Sequence, residues 1–538
     1  MKNLVSIFAG HDASVSFWNA ETDKYHTIEI ERLVKKRYFR LHVDNSPEYQ
    51  LEVLEQCRDI AEKEWGIKND YEAVLICSDG YVEVDPRQVF NTNTVQTVAM
   101  HHRTHAEAAF FMSPYCFNQD IDPDHLRLQA HIISYDGGGD DGHFLVHEAY
   151  RDELKLIKKV PSDFGGGYLL AASLIKEVAE SSRHQLALAG KMMGLCAYGK
   201  VIDDYVQPFK EFYIDRDYKK LAETTGLPLK NLDNPWENPL DNWVFEGQEG
   251  YDIAATAQAA FEDALFQEID DIQSDPNCPL ILTGGCALNV LVNEKIKKVY
   301  KFRQLYVPPN PHDGGLSLGH LFAYRKPTKR VNITYSGLPL LDRDKLRSYI
   351  VEYNAEKIDK KHIAYLIRYG KIIGLVYGDS EVGPRALGNR SIVCDPNIAD
   401  MKDILNSKVK FREWYRPFAP FCLYEQAPWF FNSRDFVNHE SMSYAPEVKD
   451  EEKDRIPSVT HADGTARLQT VTEESHPVFY GILKEFGEIS YTNVLLNTSF
   501  NIRGYPILST IEDALYALNN TELDYVVIED YLFSKKVK

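Results

Sequence analysis

The chain has 538 residues, 44% of them hydrophobic, so core size is no constraint, and two large domains or three to four units of about 150 residues would fit. No apolar run approaches the roughly 20 residues of a membrane span, and the MKNLVSIFAGHDAS start lacks a cleavable secretory pattern, so a soluble cytoplasmic protein with no membrane partner is expected. A net charge of −20 argues against a surface coated for nonspecific nucleic-acid binding, though not against a local basic groove, and eight scattered cysteines without a C-x-x-C pair read as reduced thiols.

Residues 3 to 33 read as three strands, LVSIFAG, SVSFWNA and HTIEIERL, with His11, Asp12, Ala13 and Ser14 in the first turn. A comparable unit returns at 131 to 150, where HIISYD leads through GGGDDG into HFLVHEAY, which suggests a weak internal duplication. Turns of this kind, here with Ser14, Gly137 and Gly138, expose backbone N–H groups and could hold nucleotide phosphates between two lobes; two ordinary hairpins are the competing reading. Between the units, 95 to 112 is predicted as a helix. Its His101 and His105 share one face at i and i+4, whereas His102 points about 100° away and suits a hydrogen-bonding role. An isolated H-x-x-x-H is more often a structural pair. Asp136 and Asp313, each in a glycine-rich turn after an apolar segment, complete two imidazoles and two carboxylates, a set for a divalent metal that leaves zinc, manganese and iron open.

In AGKMMGLCAYG, Lys191 stands between glycines, placed to meet a phosphate or an acyl-adenylate, or else a solvated turn lysine. The apolar stripe of 251 to 272 reads as core packing without chemistry. PLILTGGCALNVLVNEKI at 279 to 296 reads as strand, Gly-Gly turn and helix, a docking point for an anion. Composition shifts near 325 to 345, giving domains of 1–335 and 336–538. The second opens with a predicted helix over 343–369 and a strand, KIIGLVYG, then gathers Arg385, Arg390, Lys408, Lys410, Arg412, Arg416 and Arg467, with Asn497, Ser499, Asn501 and Arg503 in a polar turn. Cations grouped with glycines and hydroxyls suit a small phosphorylated substrate.

GHDAS, HHRTHAEAAF, SYDGGGDDG, GKMMGLCAYG, TGGCALN, EVGPRALGNRSI, KFREWYRPFAP and LLNTSFNIRGYPI, in this order, resemble the NodU/CmcH-type O-carbamoyltransferases over nearly the whole chain. The resemblance implies α/β and α+β folds: an N-terminal actin-like ATPase domain (ASKHA, Kae-like, duplicated) and a C-terminal YrdC-like α+β domain. It also implies the chemistry. Carbamoyl phosphate and ATP become carbamoyl adenylate in the C-terminal domain, and an acceptor hydroxyl takes the carbamoyl group in the N-terminal domain. Lys410, Arg385, Arg416, Arg467 and Ser499 would grip carbamoyl phosphate and the nucleotide phosphates, with Arg390, Asn497 and Arg503 nearby. Lys191, Gly194, Gly284, Gly285 and Asn289 would hold the adenylate, and His101, His105, Asp136 and Asp313 match the family's metal ligands, with iron(II) the implied ion. His11, beside Asp12, is the candidate general base or acid, and Lys410 joins these two as catalytic.

Cys286 and Cys196 occupy motif slots where small apolar residues or valine are common, a matter of packing more than of chemistry. The long charged stretch 117–130 is expected as a loop by the acceptor site. The acceptor stays open between a small molecule such as a sugar or antibiotic and a hydroxymethylated base in a nucleotide or DNA. An actin-like ATP-binding regulatory module without transfer is the third reading. The oligomeric state is not indicated.

Overall fold

Runs of apolar and β-branched residues with almost no exposed position form β1 (Asn3–Phe8), β2 (Ser14–Asn19) and β3 (Lys24–Glu29), an antiparallel meander extended in parallel by β4 (Tyr71–Ile76) and β5 (Val95–Gln96) in the order β3-β2-β1-β4-β5. The computed structural model describes residues 1–42, 45–77, 82–117, 128–139, 142–151, 153–272, 278–300, 302 and 304–536. A second sheet repeats this plan. The meander of β6 (Ala130–Tyr135), β7 (Phe144–Tyr150) and β8 (Glu153–Val160) is continued in parallel by β9 (Leu280–Thr283) and β10 (Leu305–Tyr306), in the order β8-β7-β6-β9-β10. The hairpin likeness in the sequence is thus the visible part of two sheets with the same strand order. Helices cover both faces, which is why the strands read as continuous apolar runs.

The predicted 95–112 helix starts at His101 because Val95–Gln96 pairs with Val74 and Leu75. His101–Met112 packs between the sheets against Leu316–Arg325 so closely that a Cβ on Gly319 would lie 2.2 Å from the Thr104 carbonyl oxygen. The 251–272 stripe lies, up to residue 270, in a core helix, Gly247–Asp270.

The C-terminal part is α+β. Its strands are β11 (Glu356–Lys357), β12 (Ile373–Val376), β13 (Arg390–Cys394), β14 (Ala419–Leu423), a small separate ribbon of β15 (Phe431–Asn432) and β16 (Glu447–Val448), then β17 (Gln469–Val471), β18 (Val494–Ser499), β19 (Tyr525–Ile528) and β20 (Tyr531–Ser534). Eight of them form one mixed sheet, β11-β20-β19-β12-β13-β18-β14-β17, with an apolar core on each face. The predicted 343–369 helix is two helices, Leu346–Tyr353 and Lys360–Arg368, broken where Asn354 turns left-handed (φ 49°). Buried ties join the two parts. Arg32 donates to the Glu381 and Gly383 carbonyls and to Ser380 Oγ, and Glu29 accepts from the Gly383 N–H at 3.2 Å. All eight cysteines are free thiols. Among the described residues no helix is long and apolar enough to cross a membrane.

Candidate functional site

The two packed helices bring the predicted metal ligands together. His101 opens one helix and His105 follows one turn later, Asp313 precedes the other helix, and Asp136 ends β6. One ligand atom from each of the four lies within 4.8 Å of the others. His105 Nε2 is 3.3 Å from Asp313 Oδ1 and 3.5 Å from Asp136 Oδ2, and His101 Nε2 is 3.7 Å from Asp313 Oδ1. His105 Nε2 and Asp313 Oδ1 are fully buried, and neither makes a well-aligned hydrogen bond. Two imidazoles and two carboxylates that converge in a buried pocket are what a divalent cation requires, so the set fits such an ion. Asp136 is fixed by its surroundings: Oδ1 accepts the Gly137 N–H at 2.6 Å and Oδ2 the Gly285 N–H at 2.5 Å. Burial pushes its pKa up, but the His105 and His101 imidazoles and the Gly285 N–H outweigh it and hold the carboxyl well below the usual range. Gly284 makes this approach possible. Its φ is +90°, and a Cβ there would lie 2.1 Å from the Tyr135 carbonyl oxygen.

His102 turns away, as the helical angle predicts, and bonds Ser134 Oγ and the Gly142 carbonyl, both at 2.8 Å. His11 borders the cluster, with Nε2 3.2 Å from Asp313 Oδ2 and Nδ1 3.1 Å from Asp12 Oδ2. Burial lowers its pKa, but the Asp313, Asp12 and Asp136 carboxylates prevail and push it up to about 9. Asp12 itself sits in a left-handed turn (φ 59°).

A second cluster lies in the C-terminal part. Lys410 is buried, and its Nζ donates to the Ser499 carbonyl at 2.6 Å, the Asn501 carbonyl at 2.9 Å and Asn501 Oδ1 at 2.6 Å. Ser499 Oγ donates to the same amide oxygen at 2.7 Å. Burial lowers the Lys410 pKa, and Arg412, Arg37 and Arg416 lower it further. Burial likewise depresses Arg385 to about 10 and Arg412 to about 9, with Arg416 adding to both, and it pulls Arg467 down among Arg385, Arg416 and Arg412. Cations that lower one another's pKa in a partly buried cluster are suited to anionic charge.

Other predicted residues have partners within the fold. Arg390 is fully buried, with its Nη groups on the carbonyls of Tyr377, Gly378 and Asn389. Asn497 donates to the Ala386 carbonyl at 2.8 Å. Ser14 opens β2 directly after the His11 turn, and its Oγ bonds Ser317 Oγ at 2.7 Å inside the core. Asn289 caps the Val290–Val299 helix and exchanges hydrogen bonds with Gln258. Lys191 is neither a turn residue nor solvated. It lies on the Leu188–Leu195 helix, ion-paired to Glu413 at 2.8 Å and donating to Ser181 at 3.0 Å. Gly138 faces His143, Gly194 packs against Pro417, and Arg503 is exposed at the rim of the cation cluster beside Arg412. The stretch expected as a loop by the acceptor site lies outside the described residues over 118–127.

Arg37 escaped the sequence reading. Its segment is bonded to the His11 turn, Ala13 N–H to the Phe39 carbonyl at 3.0 Å and Leu41 N–H to the Ala9 carbonyl at 2.9 Å. The charge of Arg37 lowers the pKa of both Asp12 and Lys410, one residue from each cluster. The only signal was the basic run KKRYFR directly after the third strand.

With this geometry in hand, two family models match the chain: the carbamoyltransferase N-terminus over residues 8–321 and the carbamoyltransferase C-terminus over 364–535. Nodulation protein NolNO of Sinorhizobium fredii is 31% identical over 86% of this chain, which spans 66% of that protein's length. The 3'-hydroxymethylcephem-O-carbamoyltransferase of Streptomyces clavuligerus is 26% identical over 98% of both chains. A crystal structure of full-length HypF in the phosphate- and nucleotide-bound form aligns at a TM-score of 0.33 and 14% identity, covering 60% of this chain and 46% of that one.

Proposed function

The chain belongs to the carbamoyltransferase family, and from that premise we propose that it is an ATP-dependent O-carbamoyltransferase working at two sites. The observation that carries the reading is the pairing of a cation cluster around Lys410, Arg385, Arg412, Arg416 and Arg467 with a separate four-ligand cluster beside His11. The first suits polyanions and the second suits acyl transfer from a phosphate ester.

In the C-terminal part, water cleaves carbamoyl phosphate to phosphate and carbamate. A carbamate oxygen then attacks the α-phosphorus of ATP, the bond from that phosphorus to the β-phosphate oxygen breaks, and pyrophosphate leaves as carbamoyl adenylate forms. Lys410 and the arginines neutralise the charge that develops on the phosphoryl oxygens. In the N-terminal part, the acceptor oxygen attacks the carbamoyl carbon and AMP departs; His11, held protonated by the Asp313, Asp12 and Asp136 carboxylates, donates its proton to the leaving phosphate and is reprotonated by the one the acceptor hydroxyl gives up. His101, His105, Asp136 and Asp313 would hold a divalent cation, taken as iron(II) from the family resemblance, that supplies Lewis-acid charge near the leaving phosphate. The part boundaries follow the sequence reading, 1–335 and 336–538, with the N-terminal part Kae-like and the C-terminal part YrdC-like. The twice-used strand order supports the first assignment. The hydroxymethyl group in the name of the Streptomyces relative supports a small-molecule hydroxyl as acceptor.

The test is pyrophosphate release from ATP with carbamoyl phosphate and no acceptor. Wild type and Lys408→Ala, an exposed neighbour, should release pyrophosphate at similar rates, and Lys410→Ala and Arg467→Ala should fall at least a hundredfold. Equal rates in all four would remove the C-terminal assignment.

A further inference from the structure

Phe411 lies between two cations that point inward, yet its own ring points out. The wide turn Leu405–Val409 closes with Lys410 N–H on the Leu405 carbonyl at 2.7 Å and Arg412 N–H on the Asn406 carbonyl at 2.9 Å. Phe411 is thereby forced into the left-handed region (φ 48°). That position after a helical turn ordinarily falls to Gly or Asn, and a bulky aromatic there is strained. The ring recovers nothing by burial, being 42% exposed. It lines a cavity of about 430 Å³ together with Arg412, Glu413, Asn406, Ser181 and Arg503. Backbone strain that no packing compensates, beside a charged cluster, marks a side chain kept for what it touches.

We propose that this cavity is the purine subsite of the nucleotide, with Phe411 the platform on which the base stacks. The inference rests on the adenylate-forming reading of the neighbouring cluster and names where the base lies within it. The volume suits a nucleoside. Phe411 and Arg503 both line the cavity, so an aromatic ring and a planar guanidinium are available to a base bound there. Arg412 belongs to both the cavity and the cation cluster, so a nucleotide stacked on Phe411 has its phosphates directed toward Lys410. Glu413 and Asn406 supply polar edges for the base and ribose. Inorganic phosphate and carbamoyl phosphate have no ring to use the aromatic wall.

The experiment measures the affinity of the full chain for ATP and for inorganic tripolyphosphate by calorimetry, in wild type, Phe411→Trp and Phe411→Asn, alongside Tm. Base–aromatic stacking of about 1.4 kcal/mol corresponds to a tenfold change in Kd. Wild type should therefore bind ATP at least tenfold more tightly than tripolyphosphate. Phe411→Trp should keep that margin. Phe411→Asn should lose it while leaving tripolyphosphate affinity unchanged and raising Tm, because Asn accepts the left-handed turn. A structural role for Phe411 would not give a variant that is both more stable and selectively poorer for ATP. ATP affinity unchanged in Phe411→Asn, or weakened equally for both ligands, overturns the subsite. Tripolyphosphate bound as well as ATP by wild type also overturns it while leaving the cation cluster standing, and failure to bind either ligand removes the adenylate-forming reading itself.

Discussion

The two aspartates of the metal cluster should respond very differently to the same isosteric change. Both carboxylate oxygens of Asp136 already accept backbone N–H groups, from Gly137 at 2.6 Å and Gly285 at 2.5 Å. An asparagine at position 136 must therefore turn its NH₂ toward one of those N–H groups, donor against donor. Asp313 has no such constraint. Its Oδ1 has no well-aligned donor and its Oδ2 faces His11 Nε2 at 3.2 Å, so an asparagine at position 313 could keep a carbonyl oxygen toward the cluster and turn its NH₂ to His11, which gives up its proton more readily once the Asp313 charge that raises its pKa is gone. Each variant loses one negative charge, so the difference isolates the backbone contacts. A lost charge-assisted hydrogen bond, with its buried partner unsatisfied, costs about 1.5–3 kcal/mol. Asp136→Asn should then bind divalent metal roughly 10- to 150-fold more weakly than Asp313→Asn. The assay is anaerobic competition against a chromophoric chelator with Fe(II), Zn(II) and Mn(II) in turn, with far-UV circular dichroism to establish that both variants fold. Equal weakening, or a greater loss in Asp313→Asn, would refute the claim that Gly137 and Gly285 hold Asp136 ready for the ion. Absence of metal binding by wild type would refute the site.

The Lys191–Glu413 pair, 8% and 13% exposed, crosses from the N-terminal to the C-terminal part. Lys191→Met should cost about 3 kcal/mol by leaving the half-buried carboxylate with only Arg416 at 4.0 Å, and Lys191→Met/Glu413→Leu should recover most of the lost Tm in thermal unfolding; a double variant no better than the single one would count against the pair. His147 and His476 are buried, and burial holds each near pKa 4. Their folded pKa values lie below the unfolded value of about 6.5, so the unfolded chain binds more protons between those limits and stability is lost as pH falls from 6.5 toward 4, by up to about 1.4 kcal/mol per pH unit for each. Urea midpoints measured across that range should fall for wild type and less steeply for His476→Gln; parallel slopes would exclude His476.

Local pattern carried the metal cluster and the strand plan a long way, and long-range partners decided the rest. His101 and His105 were readable because i and i+4 on a helix share a face whatever surrounds it, and the repeated hairpins were readable because each is a contiguous run. The helix over 343–369 was over-extended because apolar spacing continues through Asn354, whereas the left-handed turn there (φ 49°) and the pairing of Glu356–Lys357 with β20 break it. Asn289 could have been recognised as a cap from its place just before a helical run. Ser14 and Arg390 could not be sorted in this way: their partners, Ser317 and the Tyr377 and Gly378 carbonyls, depend on which elements the fold stacks. Arg37 shows the limit most clearly. Nothing in KKRYFR distinguishes it from a solvated basic run until Phe39 and Leu41 tie the segment to the His11 turn and the C-terminal part brings Lys410 into its field. A charge that acts on both sites acquires its role from the packing of both parts around it, so its importance appears only when the chain is folded.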